Sequence, residues 1–586
     1  MSLNSQMDQF NTTGKLPTKE KINRAFAAFS KKERVIFGIF CLALLLSSLA
    51  ILQTVNKTLM VAVPFEGGTI SEGIVGTPRF INPVLASSPA DLDMSALIYS
   101  GLMRKSGSEN PIPDLAEKYE VSDDALTYTF TLRDDIYFHN EEPVTADDVI
   151  FTIDRVKNSV IPSPQKVNWE GVSVRKVNNT TIEFNLRQPN ANFLENATLG
   201  ILPKALWEND SMELNTFNTS PVGSGPYKIE SVAKEESGII NSYQLVAFEK
   251  FALGEPYIKE INFHFYQNED DLVKAFEDGT VGQVSSLTPA VASDLEEKNY
   301  QVTRALLPRV FGLFFNQNQN QLFLDKSVTR AIHDAIDKDR IVRDVLKGYG
   351  VVIDSPIPPN IAMYGETAEN KSSREEVLAT VRENLDKAGW TLGEDGLRHK
   401  TITENKKKRT ATLEFSISTS NAPELAATAE LIKEDLSLVG MKVDIKTFEK
   451  GNLNQNVIIP RKYDALLFGQ VINRESDLFA FWHSSQRKDL GSNVAIYTNP
   501  QVDSLLEDAP ITINPESRAK KYAQIESAIK KDIPAVFLYS PDFIYVVSGS
   551  LKGLDMSKLR SPEDRFGNVY LWFTKTENVW KIFAKN

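Results

Sequence analysis

With 586 residues, 42% of them apolar and 24% charged, the chain has a globular composition and is too long for one ordinary core. Two or three domains are therefore expected. The formal net charge of -12 argues against a nucleic-acid binder, which needs a basic face. Cys41 is the single cysteine, so an internal disulfide and a cysteine-based zinc cluster are both ruled out.

Residues 1–34 are polar and carry a charge of +4, from Lys15, Lys19, Lys21, Arg24, Lys31, Lys32 and Arg34 against Asp8, Glu20 and Glu33. Residues 35–52 follow without a charge, just long enough to cross a bilayer as a helix. Basic residues before the span predict a cytoplasmic N-terminus and an exported remainder. A cleaved signal with a small-residue site at Ser48 and Ala50 competes with an uncleaved anchor. The leader is long for a signal peptide, which favours the anchor. Lipoprotein processing at Cys41 is rejected, because Ile39 and Phe40 precede it where small residues are needed.

Residues 59–63 predict a first strand, and 67–73 a turn and a second. A helix is expected around Leu92, Met94, Leu97 and Ile98. Tyr128, Phe130 and Leu132 alternate with threonines, the period of a half-buried strand. Ile136, Tyr137 and Phe138 resume the alternation, which predicts a hairpin. Thr145 with Asp148 reads as a capping box, and Val149, Ile150, Ile153 and Val156 form one helical stripe. Strands are expected at 181–186 and 255–265, and a helix at 270–278. The run 311–316 (FGLFFN) reads as a buried strand, followed by a helix capped by Ser327. His333 and its acidic neighbours read as a solvated helix face, since no second histidine stands at ligand spacing. The charge run 401–409 reads as a solvated hairpin tip. Leu413 to Ile445 reads as a β-α-β unit with parallel strands. A buried strand at 463–468, a helix at 515–530 and a strand at 534–539 complete the pattern. The last residues, 573–586, give no signal.

The wording of several segments is more specific than their periodicity. LAE at 115–117, SDDALTYTFTLR at 122–133, the FH turn at 138–139 and TADDV at 145–149 stand in one order with PVGSGPY at 221–227. DKSVTRAIHDAIDK at 325–338, GYG at 348–350 and PIPP at 356–359 continue it. Together they resemble the family 5 extracellular solute-binding proteins, the dipeptide, oligopeptide and nickel receptors of ABC importers, over residues 58–572. Asn140-Glu141, Ser224 and Gly282 depart from the family's usual residues.

The resemblance implies an α/β, two-lobed periplasmic-binding-protein-like fold with an inserted subdomain, preceded by one transmembrane helix. Its parts would be a cytoplasmic leader (1–34), an anchor (35–52), lobe 1 (58–308, insertion about 94–202), lobe 2 (309–538), a return to lobe 1 (539–575) and a tail (576–586). Thr77, Pro78, Arg79 and Phe80 would line the cleft mouth. In the family's peptide receptors a loop acid beside an Asp-Pro pair takes the peptide's ammonium. That pair is absent here. Asn473, Arg474, Glu475, Asp477 and Trp482 are the candidates in that loop, with Arg474 able to face a carboxylate instead. No catalytic residue, metal site or cofactor is expected. The implied function is a monomeric, membrane-anchored receptor that closes around short peptides and passes them to an ABC permease driven by ATPase subunits. A receptor of the same fold for a nickel chelate or sugar oligomer, a sensor, and an extracellular hydrolase are the alternatives.

Overall fold

A computed structural model describes residues 19–107, 110–361, 373–404, 407–488 and 490–584. The chain divides into two compact units, Met1–Phe65 with Lys575–Asn586, and Glu66–Thr574.

In the first unit, α1 (Lys19–Ala28) and α2 (Lys31–Leu59) precede β1 (Met60–Pro64). α2 has 29 residues and extends the expected apolar span by polar turns at both ends. None of its side chains is buried, and its length of about 43 Å exceeds a hydrocarbon core. β1 pairs antiparallel with Thr576–Trp580, from Met60 opposite Trp580 to Pro64 opposite Thr576. That C-terminal strand was silent in the sequence because TENVW does not alternate between apolar and polar. The leader residues before Lys19 lie outside the described residues.

The second unit is organised on a 12-stranded mixed sheet. One half holds the parallel pair Glu414–Ser420 and Lys442–Phe448, joined by the helix Pro423–Ser437, with Ala465–Val471 and Arg309–Phe315 beside them. The other half holds β2 (Thr69–Val75), Glu260–Tyr266, Ile240–Ala247 and Tyr227–Lys234. The strand Ala535–Val546 belongs to both. Its first half pairs with Arg309–Phe315 and its second with Val302–Leu306. The expected crossing near Tyr539 thus falls inside one continuous strand. Pro541 sits at its middle, where the missing N–H interrupts the ladder. Ser540 Oγ donates to Leu307 O at 2.8 Å and Leu307 N to Pro541 O at 3.2 Å, so both crossings are stitched together at one joint.

Several apolar clusters fill the second unit, one of them packing Tyr349 against Leu272, Val284 and Ile544. Trp169, Trp207 and Trp572 are fully buried in lobe 1, Trp390 and Trp482 in lobe 2. Burying a side chain of that size contributes at least about 2–3 kcal/mol.

Three local expectations are corrected. Ile136, Tyr137 and Phe138 do not form a hairpin arm. Only a single bridge joins Tyr137 to Pro143, and Ile136 and Phe138 are buried from a loop closed at Glu141, whose φ is 69°. The strand Thr127–Leu132 pairs instead with Ala116–Val121 and Thr181–Leu186 in a four-stranded subdomain sheet. AEKYEV is largely solvent-facing, so its strand character was hidden. The helix Lys326–Ala335 is capped by Asp325, not Ser327. Asp325 Oδ1 accepts from Ser327 N at 3.0 Å and from its hydroxyl at 2.6 Å. His333 is half-buried rather than on a solvated face, held between Asp334 at 2.8 Å and Asp354 at 2.7 Å. The hairpin Arg398–Glu404/Lys407–Thr412 forms as expected, although residues 405–406 at its tip lie outside the described residues.

Candidate functional site

Two segments with distinctive wording, the FH turn and the G-x-G-P turn, meet at the end of one helix. Gly225 N donates to Ile98 O at 2.8 Å, at the end of α3 (Pro89–Ile98). A Cβ at Gly223 or Gly225 would collide with the Ile98 carbonyl, which is why this turn carries glycines. His139 locks the same turn. Its Nε2 donates to Gly225 O at 3.1 Å, and its Nδ1 accepts from Gly223 N at 3.4 Å. Burial pushes the imidazole down to about 4, so it is neutral, as this tautomer requires. The FH turn and the G-x-G-P turn are therefore one structural device.

Lobe 2 contributes the loop after Ala465–Val471. Ile472 N donates to Pro308 O at 2.8 Å, which ties the loop to the joint. Asn473, Arg474 and Asp477 then face a cavity of about 410 Å³. The facing wall belongs to lobe 1: Pro83, Leu92 and Tyr99; Arg104, Lys105 and Asp114; Glu195 and Asn196; and Arg560, Glu563 and Asp564.

Charges of both signs line this cleft, and their pairing crosses it. Arg474 Nη1 donates to Asn196 Oδ1 at 2.7 Å, and its Nε lies 3.7 Å from Glu195 Oε2. The other Glu195 oxygen meets Arg560 Nη1, so one carboxylate is shared by two guanidiniums from different parts of the chain. Burial pushes the Arg474 pKa down, opposed by the charge of Asp477. Burial likewise pushes Asp477 up, opposed by Arg474 and by the backbone N–H of Arg474 at 3.1 Å. On the far wall Lys105 Nζ donates to Asp564 Oδ1 at 2.9 Å and Arg104 Nε to Asp114 Oδ2 at 2.7 Å. Burial, then the Asp564 charge, raises Glu563. Among the described residues, Asn473 Oδ1 and Asp114 Oδ1 in the lining are buried acceptors that receive no hydrogen bond. A buried acceptor left so costs about 1–3 kcal/mol, which a ligand N–H would recover.

Of the residues singled out by sequence, Asn473, Arg474 and Asp477 come together in the cavity lining. Glu475 is half-buried beside them but outside the lining; burial raises its pKa, against the charge of Arg518. Trp482 stands in the lobe 2 core against Phe314, Tyr497 and Phe537, with no exposed surface. Thr77, Pro78, Arg79 and Phe80 lie outside the lining. Arg79 N and Phe80 N donate to Asp91 Oδ1 at 2.7 and 2.8 Å, so this segment caps onto α3 instead. Pro83, four residues on, does reach the cavity. Sequence reasoning gave no role to Glu195, Arg560, Glu563 or Asp564. Glu195 follows two apolar residues, Phe193 and Leu194, and an acid so placed carries no functional signal.

Residues 110–490 match the family model for bacterial extracellular solute-binding proteins, family 5 (middle). The chain belongs to this family. Family 5 proteins are non-enzymatic transport receptors, and this chain is one of them. It is similar to the oligopeptide-binding protein AppA of Bacillus subtilis, 27% identical over 530 residues, which cover 87% of this chain and 93% of the relative. The dipeptide-binding protein of Escherichia coli is 25% identical over 522 residues, 84% of this chain and 93% of the relative. Two solved structures carry the likeness into three dimensions. AppA of B. subtilis, in complex with a nonapeptide, superposes with a TM-score of 0.67 at 26% identity, covering 88% of this chain and all of that one. NikZ of Campylobacter jejuni, in complex with Ni(L-His), gives 0.68 at 26% identity, with 87% and 100% covered. The mixed α/β architecture of the second unit is thus the family 5 binding-protein fold.

Proposed function

We propose that this family 5 receptor is held at the cell membrane by α2, with its N-terminus cytoplasmic and its lobes outside, and binds short peptides for an ABC permease. The observation that carries the peptide reading is the cleft itself. A partly desolvated cavity holds unpaired acceptors and charges of both signs, which suits a zwitterionic chain rich in N–H donors. Its volume of about 410 Å³ lies at the small end of ligand sites, favouring short peptides over long ones. Asp477 and the Asn473 carbonyl are the groups for the ammonium, and Arg474 the group for a carboxylate. Because the ligand touches both lobes, it binds the closed form better and shifts the population toward it. The relatives described as oligopeptide- and dipeptide-binding support the same class of ligand.

Thermal unfolding of the purified chain with pools of di- to pentapeptides tests this. A ligand at about a hundred times its dissociation constant adds roughly 2.7 kcal/mol of stability, a shift of several degrees. Asp477→Asn should abolish most of that shift while leaving the ligand-free midpoint within about a degree. If no peptide pool moves the midpoint, the peptide reading is wrong. Reporter fusions at either terminus, one active only in the cytoplasm and one only outside, check the orientation.

A further inference from the structure

The elbow between α1 and α2 is built, not merely a linker. Ser30 N donates to Glu33 Oε2 at 2.8 Å, and Ser30 Oγ accepts from Glu33 N at 3.4 Å, capping α2. Arg34 reaches back over the end of α1, donating from Nε to Phe29 O at 3.1 Å and from Nη2 to Ala27 O at 3.4 Å. A cation on those carbonyls closes the helix and complements its dipole. Phe26, Phe29 and Phe37 then form an aromatic cluster, with Phe26 edge-on to Phe37 at 5.1 Å. Phe37 lies about 10 Å along α2 from its cap by helical rise. α1 is therefore fastened beside the first two turns of the apolar span.

Chemistry separates the two sides of this small helix. Phe26 and, just past the helix end, Phe29 carry its apolar side, their rings 6.0 Å apart. Phe26 leaves 43% of its surface open. Lys19, Arg24, Lys31, Lys32 and Arg34 surround the elbow as exposed cations, while one of the two nearby acids, Glu33, is engaged by Ser30. A helix of ten residues is too short to persist alone in water. Apolar residues on one side, basic ones around them, and attachment at the mouth of a span match a helix lying in a charged bilayer surface.

We propose that α1 lies in the plane of the cytoplasmic membrane face, with its aromatic side at the headgroup–acyl boundary and its basic residues on anionic phospholipid headgroups. This rests on the reading of α2 as an uncleaved anchor. The helix would fix the depth of the span and brace the exported receptor from the inner side.

The test uses the full chain with Cys41→Ser, spin-labelled either at Phe26→Cys or at Leu45→Cys. It is reconstituted in nanodiscs of phosphatidylcholine alone or with phosphatidylglycerol at roughly 7:3, a strongly anionic surface. Label depth is read from its accessibility to oxygen against a water-soluble nickel chelate. The expected result is a deep label at 45 in both lipids, and a label at 26 that moves to the interface with phosphatidylglycerol. A basic residue near an anionic surface contributes about fivefold in partition, so Lys19→Gln with Arg24→Gln should cut the inserted fraction ratio by tenfold or more. A label at 26 that stays in water while 45 is inserted overturns the proposal and leaves the anchor standing. So does insertion indifferent to lipid charge and to the double variant, or protection that arises only when a permease is co-reconstituted. A label at 45 in water overturns both readings.

Discussion

Arg565 shows what a single residue does in the lobe 1 core. It is fully buried, with both terminal nitrogens on Asp93 at 2.8 and 2.6 Å and one also on Glu72 at 2.9 Å. Tyr545 donates to the remaining Glu72 oxygen at 2.6 Å, and Phe566 stacks 4.0 Å from the guanidinium. Two carboxylates thus share one cation. Desolvation is the largest influence on Glu72 and raises its pKa above 4.5, against the pull of Arg565. The folded state therefore holds the Glu72 proton more tightly than the unfolded chain. That contribution to stability is complete below pH 4.5 and is lost as pH rises through the folded pKa. Glu72→Gln should flatten this fall in urea unfolding measured from pH 4.5 upward, at little cost near neutrality. Arg565→Met leaves two unpaired buried carboxylates and should cost about 3–5 kcal/mol at pH 7. If Arg565→Met unfolds at the wild-type urea midpoint, the network is not the core tie described. None of this was legible in the sequence. Arg565 stands 472 residues from Asp93 and 493 from Glu72, and no local period marks an acid that will be buried.

At the scale of elements, the helices and strands with a buried stripe were readable, and those stabilised by partners were not. The helix Lys326–Ala335 followed from Val328, Ala331, Ile332 and Ala335, but its cap did not. Ser327 satisfies the usual rule, yet Asp325 can serve more donors at once. Besides Ser327 it accepts from Trp390 Nε1 at 3.1 Å and Lys400 Nζ at 2.8 Å, tying the helix to the hairpin Arg398–Thr412. Burial opposes its charge, but the hydrogen bonds from Lys400, Ser327 and Trp390 outweigh that and hold its pKa below 3.8. The stability it supplies is present above 3.8 and is lost as pH falls through the lowered value. Asp325→Ala removes the cap and strands two donors, at a cost of about 1–3 kcal/mol by chemical denaturation at pH 7. Ser327→Ala should cost no more than about 0.5 kcal/mol, because its hydroxyl only donates to an acceptor already well supplied. The reverse order of the two variants would return the cap to Ser327.

Across the whole molecule, the unbroken order of short motifs made the fold visible, while the cleft stayed hidden. A cleft is made where distant segments meet, and Glu195, Arg474 and Arg560 have nothing in common until the lobes bring them together. Under the proposed lobe closure, their meeting bears on the equilibrium between open and closed forms. The Glu195 carboxylate touches Arg560 within lobe 1 and Arg474 across the cleft, so under that proposal it would help hold the lobes shut once they approach. Such partly buried pairs are screened less than surface ones, and about 1.4 kcal/mol lent to the closed form is a tenfold bias. Glu195→Gln should therefore favour the open form before any ligand arrives. Apparent peptide affinity would fall by roughly the factor by which the competent population falls, about tenfold or more. Small-angle scattering of the ligand-free variant should show a larger radius of gyration, and saturating ligand should restore the wild-type value. An unchanged radius with weakened binding would mean that Glu195 acts on the ligand directly. Unchanged affinity would mean that closure does not draw on this contact at all.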